Sequence, residues 1–124
     1  MSLREYFAST SGLGVLSTAD DDGQVNAAIY GRPHITDSGE LVFVMTDRQT
    51  RHNLIENPRA SYLFKAEGPG YQGKRLLLRQ IRQSEEDPLL ETLAQSTGLP
   101  DVCERLGTLC VAYFRVEGEK PLVA

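Results

Sequence analysis

Short runs of alternating apolar and polar residues, each bounded by a turn signal, fill most of this chain, and a period of two predicts strands. Residues 14–19 (GVLSTA) and 24–31 (QVNAAIYG) flank Asp20-Asp21-Asp22-Gly23, which predicts two strands joined by a tight turn. In the second strand Val25, Ala27 and Ile29 share one face, and Asn26, Ala28 and Tyr30 share the other. Arg32-Pro33 ends this pairing, because proline cannot donate to a ladder. Further strands are predicted at Glu40–Thr46, after the turn Thr36-Asp37-Ser38-Gly39, and at Arg59–Lys65, where Ala60, Tyr62 and Phe64 alternate with Ser61, Leu63 and Lys65. A glycine-rich connection, residues 67–73, leads to a long strand at Lys74–Ser84, and a last strand covers Thr108–Glu117.

Three places break this period. Leu3, Tyr6 and Phe7 recur at helical spacing within 2–10. A second helix follows the strand at 40–46 and stops at Asn57-Pro58. A third starts at Asp87-Pro88, a cap followed by proline, carries Leu89, Leu90, Leu93 and Ala94 inward, and closes at Gly98-Leu99-Pro100. Six strands with three short helices predict a mainly β chain, a small antiparallel barrel with helical excursions, folded as one domain over residues 1–124.

Composition narrows the function. The 124 residues are 40% hydrophobic and 24% charged, as in ordinary globular proteins, and carry a net charge of −4, which argues against binding nucleic acid. No apolar run approaches the ~20 residues of a membrane span, and the N-terminus lacks the apolar stretch of a secretion signal. Cys103 and Cys110 form no CxxC pair and read as reduced, packed thiols of a cytoplasmic protein. His34 and His52 fall into no metal-ligand spacing, so no metal site is expected.

The junction within Leu41–Pro58 carries the most chemistry. There an apolar strand (LVFVMT) runs through a short polar loop into a helix, and Thr46, Arg48, Thr50 and Arg51 crowd the turn. A helix N-terminus offers unpaired N–H groups and partial positive charge, and with hydroxyls and guanidinium groups it suits a phosphate. Two arginines in a helical first turn oppose the macrodipole unless an anion sits there. Small Asn26 and Ala28 beside Tyr30 would let a flat ring approach the second strand, although small residues also fill crowded barrel interiors. The glycines at 68, 70 and 73 lack P-loop spacing, and Gly12-Leu13-Gly14 lacks the third glycine of a dinucleotide fingerprint. Arg75, Arg79 and Arg82 form a basic stripe, read as an exposed sheet face paired with Glu85, Glu86 and Asp87. No nucleophile motif is present, so the chemistry is expected from a cofactor.

The order of these segments, with GVLSTAD, QVNAAIYGRP, ELVFVMT and HNLIENPRASYLF, resembles the pyridoxamine 5′-phosphate oxidase-like flavoproteins, the FMN-binding split barrels. The similarity covers residues 3–66 well and the remainder in outline, with Asn53-Leu54 to Asn57-Pro58 its most specific element. It implies a six-stranded antiparallel split β-barrel, a homodimer with FMN at the subunit interface, and oxidoreductase chemistry on a small molecule. It further implies phosphate contacts from Thr46, Arg48, Gln49, Thr50 and Arg51, and ring contacts from Asn26, Ala28, Tyr30, Val44 and Met45. Tyr71, in the glycine-rich loop, would cover the partner's cofactor. The position commonly lysine in this family is Thr50 here, which leaves Arg48 or Arg51 to neutralise the phosphate. The Arg-x-His element of the true oxidases is missing, which argues against pyridoxamine phosphate as substrate. An electron carrier or flavin store, or a split barrel holding heme or a deazaflavin, are the alternatives.

Overall fold

A computed structural model describes residues 2–96 and 109–124. The order is α1 (Leu3–Ser9), β1 (Gly12–Ala19), β2 (Val25–Ile29), β3 (His34–Ile35), β4 (Leu41–Thr46), α2 (Gln49–Glu56), β5 (Arg59–Ala66), β6 (Gly73–Ser84), α3 (Leu89–Ser96) and β7 (Leu109–Lys120). All strands join one antiparallel sheet in the order β2-β1-β5-β6-β7-β4-β3.

The predicted mainly β, antiparallel character holds, but the strand number and closure differ from expectation. The sheet has seven strands and is open, with β2 and β3 as its edges. The additional strand is the dipeptide His34–Ile35, which pairs with Val42 and Leu41. Pro33 ends one pairing as expected; it does not prevent the next residues from beginning another. No period-two pattern can announce a strand of this length.

One face of the sheet curls around a core that includes Leu16, Phe43, Met45, Tyr62, Phe64, Leu76, Leu78 and Phe114, capped by Phe7 of α1. The first helix begins where Ser2 accepts a hydrogen bond from the Glu5 amide at 3.1 Å. On the opposite face of β4 and β7, Val42, Val44, Val111 and Tyr113 meet Leu89, Leu90 and Leu93 of α3. That helix is capped as predicted, by Asp87 Oδ1 accepting from the Leu89 amide at 2.8 Å. The Ala94 side chain, the Gly98-Leu99-Pro100 stop, Cys103 and Thr108 lie outside the described residues.

The gap between β2 and β4 is bridged by side chains. Tyr30 and Phe43 meet edge to face with ring centres 5.8 Å apart. The Tyr62 hydroxyl donates to Gly31 O at 2.9 Å and lies 3.2 Å from Tyr30 O. Gly14 makes room for this clamp, because a Cβ there would collide with the Tyr62 hydroxyl and the Tyr30 carbonyl. The helix α2 packs against β1, β2 and β4, at the mouth of the same gap. No helix among the described residues is long and apolar enough to cross a membrane.

Candidate functional site

The strand–loop–helix junction forms as the sequence predicts, β4 ending at Thr46 and α2 beginning at Gln49. Arg48 is the N-cap in extended conformation, and no side chain caps the helix. The first intrahelical bond runs from the His52 amide to Arg48 O at 3.1 Å. The N–H groups of Gln49, Thr50 and Arg51 therefore precede the ladder and converge on the open end. An uncapped end forgoes roughly 1 kcal/mol of capping stabilisation, and it leaves these donors available to an anion.

The two arginines are in different situations. Arg51 is drawn back along the helix: Nε donates to Gln83 Oε1 at 3.0 Å, Nη2 lies 2.8 Å from Glu85 Oε1, and Nη1 lies 3.8 Å from Asp47 Oδ1. Burial works against its charge, but the bond to Glu85 and the neighbouring acids outweigh it, so its pKa is raised further. Arg48 is exposed, and its side chain has no ion pair or hydrogen bond among the described residues. The only carboxylate in the loop, Asp47, is held by His52 at 2.8 Å as well as by Arg51.

Thr50 is buried, 3% exposed, and faces the core rather than the open end. Its Oγ1 accepts from Asn26 Nδ2 at 3.3 Å and interacts with the Tyr30 phenol. Burial raises the Tyr30 pKa, and the Thr50 hydroxyl partly offsets this. One turn on, buried Asn53 donates to Thr18 Oγ1 at 3.1 Å and accepts from Gln49 Nε2 at 2.7 Å. These polar contacts fasten α2 to β1 and β2, so the open helix end is held at a fixed place beside the edge strand.

That edge has a readable polarity. The Tyr30 amide donates to Gly14 O at 3.0 Å and the Asp20 amide to Gln24 O at 3.1 Å. The register between them pairs Ala28 with Leu16 and Asn26 with Thr18. The backbone of Asn26 and Ala28 thus faces β1, and the N–H and C=O groups of Val25, Ala27 and Ile29 lie on the free edge. The side chains of Asn26, Ala28 and Tyr30 turn to the inner face, as their partial burial shows.

The remaining predicted positions scatter. Met45 is buried in the main core, whereas Val44, one residue away, faces α3 on the opposite side of the sheet. Thr46 closes β4, and its carbonyl accepts from the Arg48 amide at 2.8 Å. Tyr71 is 78% exposed in the β5–β6 loop. That loop sits at the Gly12 end of β1, while α2 is bound at the Thr18 end, about 20 Å away at ~3.3 Å per residue. Within one chain the two do not meet.

Of the basic stripe only Arg82 is exposed, Arg75 and Arg79 being half-buried, and its partners are not the predicted ones. Arg79 pairs with Glu117 at 3.2 Å, and Arg82 lies over the Tyr113 ring at 3.7 Å and 3.9 Å from Glu40. Register shifts in the β6–β7 ladder and the turn into α3 direct Glu85 to Arg51 and Asp87 to Tyr113. Sequence reading missed Gln83 and Glu85 as the partners of Arg51, since they lie more than thirty residues along the chain. Cys110 is a free, buried thiol facing Gln83, and burial pushes its pKa up to about 11 despite the nearby Arg51.

No protein-family model matches the sequence, and no curated protein matches it. Solved structures do. An FMN-binding protein from Syntrophomonas wolfei is similar over 99% of this chain and 85% of its own, with a TM-score of 0.79 at 13% identity. A protein from Lactobacillus delbrueckii described as a candidate pyridoxamine 5′-phosphate oxidase is similar over 97% of this chain and 92% of its own, with a TM-score of 0.69 at 16% identity. A heme-binding protein from Mycobacterium smegmatis is similar over 95% of this chain and 51% of its own, with a TM-score of 0.65 at 18% identity. Over nearly its full length the chain has the fold of the pyridoxamine 5′-phosphate oxidase-like split-barrel proteins.

Proposed function

We propose that this chain is an FMN-binding flavoprotein that acts as an oxidoreductase on a small molecule, working in the cytoplasm as a split-barrel homodimer with a flavin at the subunit interface. The observation that carries the reading is the uncapped N-terminus of α2 beside Arg48, an exposed arginine with no ion pair or hydrogen bond among the described residues. Three features there suit the phosphate: the free N–H groups of Gln49, Thr50 and Arg51, the helix dipole, and the Arg48 guanidinium. Arg48 is preferred over Arg51 because Arg51 is already neutralised by Glu85.

The ring is assigned to the free edge of β2. The alternating N–H and C=O groups of Val25, Ala27 and Ile29 match the polar rim of a flavin ring, and Thr50, through Asn26 and Tyr30, holds that strand at the right place. When bound, FMN supplies the redox chemistry; the chain binds it, orients it and limits access to it. The FMN-binding neighbour supports this choice of ligand.

The absorbance spectrum of the purified protein, followed by identification of the released chromophore, tests this reading. A flavin spectrum, or uptake of added FMN with micromolar or tighter affinity, is the expected result. A colourless protein that takes up no FMN refutes it, and release of heme or a deazaflavin would replace the ligand. Bleaching of bound flavin by NADH or NADPH on a catalytic timescale marks an enzyme; its absence with every donor tried points to a carrier or flavin store.

A further inference from the structure

A cavity of about 260 Å³ opens between α1 and β3, lined by Arg4, Phe7, Ala8, Pro33, His34 and Ile35. It lies apart from the β4–α2 junction: α1 leads into the Gly12 end of β1, whereas α2 is fastened at the Thr18 end. Four of the lining residues are apolar, and Phe7, Pro33 and Ile35 among them are buried. Arg4 and His34 are exposed. An apolar interior with a few polar groups at its rim is the make-up of a small-molecule pocket.

The walls are firmly held. The Phe7 ring packs edge to face against Tyr6 and Phe64, each with ring centres 5.2 Å apart. Arg32 Nη1 donates to Phe7 O at 3.0 Å and to Thr10 O at 3.2 Å, tying the end of α1 to the segment that enters β3. On β3 the Thr36 amide donates to Glu40 O at 2.9 Å, and His34 pairs with Val42. The backbone of His34 and Thr36 thus faces β4, and that of Ile35 lies on the free edge. Arg4 Nη2 reaches this edge and donates to Ile35 O at 2.8 Å. The same nitrogen lies 2.8 Å from Asp37 Oδ1. Arg4 Nε and Nη1, and the His34 ring, have no partner among the described residues.

Asp37 shows which chemistry this guanidinium accepts. Its carboxylate is bound by Arg4, and its side chain is 98% exposed. A pair this exposed contributes little, so another carboxylate can displace Asp37, which returns to water at small cost. A guanidinium grips a carboxylate through two N–H groups, and the partnerless nitrogens of Arg4 provide them.

We propose that this cavity binds a small carboxylate with an apolar body, of the kind that benzoate represents. The carboxylate replaces Asp37 on Arg4, His34 adds a ring N–H at the rim, and the apolar body lies against Phe7 and Ile35. The volume falls below the roughly 300 Å³ at which drug-sized pockets begin, which limits the ligand to about one ring or a short chain.

Titration of the isotope-labelled full chain with benzoate, followed by amide shifts in NMR spectra, tests this. Benzoate should move the amides of Phe7, Ala8 and Ile35 with a dissociation constant on the order of a millimolar, as suits a ligand of about nine non-hydrogen atoms. Benzamide has the same shape without the charge and should bind roughly tenfold more weakly. Arg4→Gln should erase that difference. Asp37→Asn should tighten benzoate roughly threefold by removing the competing carboxylate, a change that a purely structural Arg4–Asp37 pair would not produce. Ala8→Leu, at an exposed position, should fill the cavity and abolish binding, and it covers the case in which Arg4→Gln fails to fold. Added FMN should leave benzoate affinity unchanged. Shifts spread over the whole surface, or reproduced by benzamide at equal affinity, would overturn the assignment. So would benzoate shifts that vanish on addition of FMN, because they would place the carboxylate in the flavin site.

Discussion

Replacing Arg48 or Arg51 singly with alanine should have opposite consequences, because the structure commits the Arg51 guanidinium and leaves that of Arg48 without a partner among the described residues. Arg48 is exposed, so its contact with a phosphate is partly screened; the low end of a charge-assisted hydrogen bond, about 1.5 kcal/mol, is the appropriate magnitude. That corresponds to roughly a tenfold rise in the FMN dissociation constant. Riboflavin, which lacks the phosphate, should bind the variant as it binds the wild type. Removing Arg51 severs the contacts to Gln83 and Glu85. Glu85 is half exposed and can return to water, so the loss falls on stability, on the order of 1 kcal/mol.

The informative quantity is the ratio of FMN to riboflavin affinity, obtained by fluorescence quenching titrations at fixed ionic strength. Arg48→Ala should reduce that ratio about tenfold, and rising salt should reduce it in the wild type as well. Arg51→Ala should change it by less than about threefold, since an already paired charge contributes little field at the helix end. If Arg51→Ala erodes the ratio and Arg48→Ala does not, the assignment is reversed. If neither does, the phosphate is not at the N-terminus of α2.

Thr50→Val keeps the shape of the side chain but leaves Asn26 Nδ2 and the Tyr30 phenol without their partner; a loss of about 1–2 kcal/mol in urea unfolding is expected, with the FMN-to-riboflavin ratio retained. Asn53→Leu should cost about 1–3 kcal/mol by stranding the buried Thr18 hydroxyl, again by urea unfolding. Gly14→Ala should displace the Tyr62 hydroxyl from the carbonyls it clamps and lower Tm by several degrees in a calorimetric scan. Cys110, in a Cys103→Ser background, should resist a thiol reagent at pH 8 until the chain is unfolded. Its folded pKa lies above the usual thiol value, so the associated stability is complete below about pH 9 and is lost as pH rises from there towards 11, a contribution of up to about 3 kcal/mol by thermal scans across that range.

Much of the fold was legible because it is local. The Asp20–Gly23 turn between two alternating runs fixes a hairpin, and Asp87-Pro88 fixes the start of α3, each through a few neighbouring residues. The position of the junction was legible for the same reason. Its division of labour was not. Arg51 is hydrogen-bonded by Gln83 and neutralised by Glu85, which lie more than thirty residues along the chain, past the register shifts of the β6–β7 ladder. Alternation in β2 correctly separated Val25, Ala27 and Ile29 from Asn26, Ala28 and Tyr30. It could not say which set faces the core, because in this edge strand the more apolar set is the exposed one, with Val25 and Ile29 in solvent and Asn26, Ala28 and Tyr30 half-buried.

The resemblance implies a lysine in the slot that Thr50 occupies, and the surroundings of Thr50 favour a neutral side chain there. The side chain is buried and points at Asn26 and Tyr30, so an ammonium in that orientation would be desolvated with no carboxylate beside it. A hydroxyl fits the same position neutrally and supplies both a donor and an acceptor. In the proposed site, positive charge at the helix end then comes from elsewhere, and the exposed N-cap residue is an arginine. Arg48 has that position, and Asp47, which could have neutralised it, is turned towards Arg51 and His52. The acidic residues around the junction are therefore arranged on the inner arginine, and this leaves the outer one, with the open backbone donors, as the cationic half of the proposed phosphate site.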